Sequence, residues 1–115
     1  EEIFHYLLNK VQECKEAGIS DIVIDPGFGF GKTIQHNFTL LKHLNILSLL
    51  GTPILAGLSR KSMIYKSLDT TAQEALNGTS SLHMLALNNG ANILRVHDVK
   101  EAMECIKLHH LYKNA

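Results

Sequence analysis

Asp21-Ile22-Val23-Ile24-Asp25, closed by Pro26 and followed by Gly27-Phe28-Gly29-Phe30-Gly31-Lys32-Thr33, is the stretch that decides the fold. Its β-branched centre is too short for a helix and is bounded by turn-forming residues, so it reads as a buried strand. Upstream, Ile3, Phe4, Leu7, Leu8, Val11 and Cys14 recur at helical spacing, and Gly18 supplies a left-handed cap. Downstream, Phe38, Leu41, Leu44 and Leu47 mark one face of a helix from about His36 to Leu50, ended by Gly51. The pattern then repeats. Pro53-Ile54-Leu55-Ala56-Gly57 reads as a second strand, and Ser59-Arg60-Lys61-Ser62 as a polar loop leading to a helical turn near Met63. Thr71 and Glu74 have capping-box spacing at the head of a long helix that stops before Gly90. Asn92 to Val96 is a third strand, and Asp98 with Glu101 opens a last helix carrying Val99, Ala102, Met103 and Ile106.

Strands separated each time by a helix cannot pair as hairpins, which predicts a parallel sheet with right-handed crossovers. The fold class is therefore α/β. The strand ends near positions 25, 57 and 95 are spaced like the units of a (β/α)8 barrel, which uses roughly 31 residues per unit. A small open doubly wound sheet has compatible spacing, and spacing alone leaves both readings open.

Composition narrows the class further. Of 115 residues 45% are hydrophobic, and eleven basic residues balance eleven acidic ones. A disordered segment would be poorer in apolar residues and richer in net charge, and a nucleic-acid binder would show a basic excess. No apolar run approaches the roughly 18 residues of a membrane span, and no signal peptide opens the chain. Cys14 and Cys105 lie far apart in helical patterns, which suits a reducing cytoplasm better than a disulfide framework. Seven histidines occur without zinc-protease spacing, so no metal site is expected within these residues. The chain begins Glu1-Glu2-Ile3 without an initiator methionine, and the expectation is a piece of a longer protein.

Ligands of parallel α/β sheets gather beyond the carboxyl ends of the strands, and all three ends here carry unusual residues. At the first, Asp25 precedes a loop that fails both phosphate-loop and dinucleotide spacing, since its glycines fall at 27, 29 and 31. A carboxylate there suits a ligand offering paired N–H donors, and capping of the loop is the plainer alternative. At the second, Gly57 permits close approach, Lys61 offers a charge with three donors, and Ser62 begins a helical turn whose free N–H groups favour an anion. A solvated basic turn is the alternative. At the third, Arg95 and His97 alternate onto one face; an arginine in an apolar strand requires a partner, an anion or a salt bridge.

DPGFGFGK after a strand, then GLSRKSMI, then NGTSSLHMLALNNGANILRVHDVKEA, together resemble the C-terminal half of the dihydropteroate synthase family. The resemblance runs in order from the helix before Asp21 to about Ile106. It implies that residues 1–115 are the C-terminal part of a pterin-binding (β/α)8 TIM barrel, about three βα units preceded by a helix. It implies a transferase joining p-aminobenzoate to 6-hydroxymethyl-7,8-dihydropterin pyrophosphate in folate biosynthesis, a sulfonamide target. By motif, Asp25, Gly57, Lys61 and Arg95 would hold the pterin, Phe30 and Ser62 the p-aminobenzoate, and Arg95 with His97 the pyrophosphate. Lys61, Arg95 and His97 would be the catalytic set. Mg2+ would be held by residues of the absent first half. A homodimer through the C-terminal helices is also implied, with no nucleic-acid or membrane partner. Gly78-Thr79-Ser80-Ser81 reads as a packing surface, with an interface as the second reading. The alternatives are a noncatalytic pterin-fold remnant and a methyltetrahydrofolate-type methyltransferase module. This chain alone is expected to be incomplete and inactive.

Overall fold

The computed structural model describes residues 2–29 and 31–115. Helix α1 (Glu2–Glu16) buries Val11 and packs on the segment Leu44–Leu50. Gly18 follows at φ +87°, the left-handed conformation expected of a helix terminator. Helix α2 (Ile34–Lys42) starts two residues before the predicted boundary because Thr33 caps it, its side chain accepting from the His36 N–H at 3.0 Å. The predicted continuation to Leu50 is not α-helical. His43 leaves the helical track, and Leu44–Leu50 is a 3-10 helix. Leu44, Leu47 and Leu50, spaced by three, are all buried, and three residues per turn is the period that aligns them.

Strand β1 (Leu55–Ala56) and strand β2 (Ile93–Leu94) pair in parallel, Leu55 opposite Ile93 and Ala56 opposite Leu94. Both are shorter than the predicted 53–57 and 92–96. The predicted strand 21–25 is reduced to a parallel bridge between Ile24 and Ile54, closed by Ile24 N–H to Pro53 O and Leu55 N–H to Ile24 O. Among the described residues that bridge is the segment's sole ladder contact. Sequential neighbours and parallel sense follow the predicted crossovers.

After β1 come the short helix α3 (Ser62–Tyr65), a 3-10 turn at Ala72–Glu74, helix α4 (Leu76–Asn88) and, after β2, helix α5 (Val99–Lys113). Neither predicted capping box forms. Thr71 makes no side-chain cap and heads only the 3-10 turn, so α4 begins later, at Leu76. Asp98 stands at the N-cap of α5 without capping it, because its carboxylate is engaged by Arg60.

The two sheet faces differ. Ile24, Ile54 and Ala56 point into the helical layer and are at most 4% exposed. Val23 and Ile93, on the opposite face by strand alternation, are 50% and 40% exposed. Two residues further along that face stand Asp25, Gly57 and Arg95. An apolar row is thus followed, toward the strand ends, by a polar row.

Candidate active site at the strand ends

The register of the sheet continues past its last backbone rung as side-chain pairs. Leu55 faces Ile93. The same offset of 38 residues then joins Ser59 Oγ to His97 Nδ1 at 2.8 Å and Arg60 Nε to Asp98 Oδ2 at 2.8 Å. The loops after β1 and β2 are therefore fastened to each other, and the site is built on that fastening.

Gly57 is buried and opens the space in which Arg95 lies. A Cβ built at residue 57 would stand 2.7 Å from Arg95 Cζ and 3.1 Å from Nε, well inside contact distance. Arg95 Nη1 reaches across to donate to Asp25 Oδ2 at 3.0 Å, while Asp25 Oδ1 accepts from the Gly27 N–H at 2.9 Å. Asp25 thus caps its loop, the plainer of its two sequence readings, while its second oxygen is held by the Arg95 guanidinium. The Arg95–Asp25 pair is exposed, and such pairs contribute about 0–1 kcal/mol, so a ligand can displace it cheaply.

Lys61 donates from Nζ to the carbonyl of Phe28, whose own ring is fully buried, and its stem packs against Gly29. Burial first and the neighbouring Arg95 charge second push the Lys61 ammonium below its ordinary pKa. The glycine loop is itself pinned. Asn37, 3% exposed, accepts from the Gly29 N–H at 2.8 Å and donates to the Thr33 carbonyl at 2.9 Å, and Lys32 Nζ donates to Gly27 O at 2.7 Å.

Gly57, Ser59, Lys61, Arg95, Val96 and His97 line one cleft of about 150 Å³, with Asp25 joined to it through Arg95. Two cations, an imidazole and a carboxylate converge there, a set able to hold a donor-rich planar ring and neutralise an anionic leaving group. Arg95 and His97 do not bond each other; each has its own partner, Asp25 and Ser59. Ser62 opens α3 but is not among the residues lining the cleft. Phe30 lies outside the described residues. Sequence reasoning did not single out Ser59 as a partner of His97, nor Asn37, Arg60 or Asp98. The first, third and fourth were recoverable from the 38-residue offset between strands. Asn37 had no signal, being one polar residue on a helix.

The fold and this cleft define a class. The family model for pterin binding enzymes matches residues 1–97, and the chain belongs to that family. Within it, the chain is similar to dihydropteroate synthases. It is 41% identical to that of Haemophilus influenzae over 117 residues, which is 100% of the chain and 42% of the relative. It is 40% identical to that of Escherichia coli over 109 residues, 93% of the chain and 39% of the relative. Two solved structures superpose closely. The Coxiella burnetii dihydropteroate synthase in complex with pteroic acid gives a TM-score of 0.93 at 41% identity, over 98% of this chain and 43% of that one. The Yersinia pestis dihydropteroate synthase gives 0.94 at 38% identity, over 99% and 55%. The chain spans about two fifths of the length of the curated relatives it matches.

Proposed function

We propose that this segment is the C-terminal part of a (β/α)8 barrel, about three βα units preceded by a helix, in a dihydropteroate synthase. The convergence of Asp25, Lys61, Arg95 and His97 around Gly57, at the carboxyl ends of parallel strands, carries the proposal. The one-sided burial of the sheet supports it, since a barrel segment has helices outside and a side-chain-filled interior opposite.

In this reading the pterin displaces Arg95 from Asp25, and the carboxylate accepts the ring's amino and N–H edge. Gly57 lets the ring lie against the strand end, Lys61 hydrogen-bonds it, and Arg95 covers its face. Arg95 and His97 meet the pyrophosphate. The C–O bond to pyrophosphate breaks with both electrons leaving on the departing oxygen. The p-aminobenzoate nitrogen then forms the new C–N bond at the pterin methylene and loses a proton. Charge neutralisation of the leaving group is the main contribution of these residues. Ser62 and Phe30 are assigned to p-aminobenzoate by the family motif. By the same family motif, Mg2+ is assigned to residues outside this segment.

The same reading makes the protein a cytoplasmic sulfonamide target and a homodimer through the C-terminal helices. Val99, Met103 and Ile106 on α5 are 64%, 62% and 43% exposed at helical spacing, an apolar stripe suited to a partner helix. No described helix is long and apolar enough to cross a membrane. The test is formation of 7,8-dihydropteroate and pyrophosphate from the two substrates by the full-length protein. Pterin binding without turnover would instead identify a noncatalytic remnant.

A further inference from the structure

Two charged residues beside the cleft have no role in the chemistry above. Arg60 stands between Ser59 and Lys61, and Asp98 directly follows His97. Their contact is a two-pronged fork: Arg60 Nε donates to Oδ2 at 2.8 Å and Nη2 to Oδ1 at 3.0 Å. Arg60 Nη1 donates to the carbonyls of Ala72 at 2.6 Å and Gln73 at 2.9 Å. Four of the five guanidinium N–H donors are thereby engaged within the protein. The Arg60 backbone N–H donates to Thr79 Oγ1 at 3.0 Å, and its φ is +55°. A non-glycine residue held left-handed is strained and persists only where surrounding contacts over-determine it.

A guanidinium so fully engaged acts as a strut, and a substrate would find little of it left to bind. Resting on the synthase reading, we infer that Arg60 and Asp98 form a positioning pair. They lock the loop after β1 to the loop after β2, which fixes the spacing of Lys61 from the Ser59–His97 bond. The geometry explains the left-handed backbone: it turns Arg60 toward the Ala72–Glu74 turn while Ser59 and Lys61, on either side, line the cleft. Lysine cannot replace it, because an ammonium supplies one point of attachment where the fork supplies several.

The test uses the full-length enzyme with Arg60→Lys, Asp98→Asn and the double variant. Each single substitution is expected to lower kcat/KM for the pterin pyrophosphate by about tenfold to a hundredfold per folded molecule, and the double variant to lose no more than either single one. Asp98→Glu, which restores the carboxylate, is expected to recover part of the loss. Full activity in Arg60→Lys, additive losses, or a loss that vanishes when rates are scaled to folded enzyme would overturn the inference. A second readout is independent of turnover. The nitrogen resonances of the His97 ring are expected to shift in Arg60→Lys as the Ser59 bond is disturbed, and unmoved resonances count against the pair. If the unsubstituted enzyme makes no dihydropteroate but the His97 signals still move, the synthase reading fails and the positioning pair stands.

Discussion

Asp25 and Arg95 hold each other at 3.0 Å across seventy residues of chain, yet their exposure makes the bond weak. In the proposed synthase, that weakness lets the pair serve as a placeholder for the pterin. Asp25→Ala removes a charge-assisted acceptor, a contact of about 1.5–3 kcal/mol, so pterin affinity measured by calorimetry should fall roughly ten- to a hundredfold while the fold is retained. Gly57→Ala tests the same exchange from the other side. Its Cβ would expel the guanidinium from the strand end, so pterin affinity should fall with little change in the unfolding midpoint, since Arg95 is half exposed. His83 is a different case. It is 2% exposed on α4 with Nε2 unpartnered, and burial lowers its pKa against a smaller opposing pull from the Asp98 charge. A histidine with a depressed folded pKa binds its proton more readily when unfolded. Stability is therefore complete above the ordinary value of roughly 6.5 and falls as pH drops from there toward the folded pKa. Denaturant midpoints between pH 7.5 and 5.5 should show that decline, and His83→Leu should flatten it.

At the level of elements, the helix–strand alternation was legible because apolar period and turn residues agreed: Gly18 and Gly51 end helical segments at φ +87° and +75°, as their positions implied. Two errors share a cause. Leu41, Leu44 and Leu47 are spaced by three, a period that an α-helix tolerates and a 3-10 helix requires; which wins is decided by packing against α1, outside any local window. Asp98 has the right type and spacing for a cap, but a guanidinium from a distant loop competes for its oxygens and prevails. Arg60 likewise keeps the Asp98 carboxyl below the usual carboxylate range, chiefly through the hydrogen bond. Gly57, Lys61, Arg95 and His97 of the cleft were readable as strand-end residues, while Ser62, read with them, is not among the lining residues. Of its supports, the Arg60–Asp98 fork lay within reach of the 38-residue strand offset, whereas Asn37 was not readable, because its partners, the Gly29 N–H and the Thr33 carbonyl, are backbone groups that no side-chain motif encodes. The small-residue reading of Gly78 has a physical basis. A Cβ there would stand 2.6 Å from Ile64 Cγ2 and 3.0 Å from Leu68 Cδ1. Gly78→Ala gains about 1 kcal/mol of helix propensity but overpacks a branched side chain at a cost of roughly 1–3 kcal/mol, so thermal melting should show net destabilisation.

The whole molecule is flatter than a self-sufficient domain. Its extents are 44 × 36 × 21 Å and its radius of gyration is 14.7 Å, where a compact chain of this length would have about 13 Å. Its accessible surface is 7371 Å², where a monomer of 12.8 kDa would show about 6,300 Å². The surplus exceeds the roughly 800 Å² that one partner contributes to a standard interface. Part of it is the row of Val23 and Ile93 on the open sheet face, directly beneath the polar row of the cleft. A site built on that face has only one wall, and Asp25 and Arg95 remain in water, where their charges act weakly on a ligand. The isolated 115-residue chain is therefore expected to self-associate through this face in sedimentation experiments and to form no detectable dihydropteroate from the two substrates. If the segment belongs to a barrel as proposed, adding the other barrel units as a separate polypeptide should suppress the association and give turnover together, because one burial event removes the apolar row from water and encloses the charges. Native-like turnover by the isolated monomer would contradict that coupling.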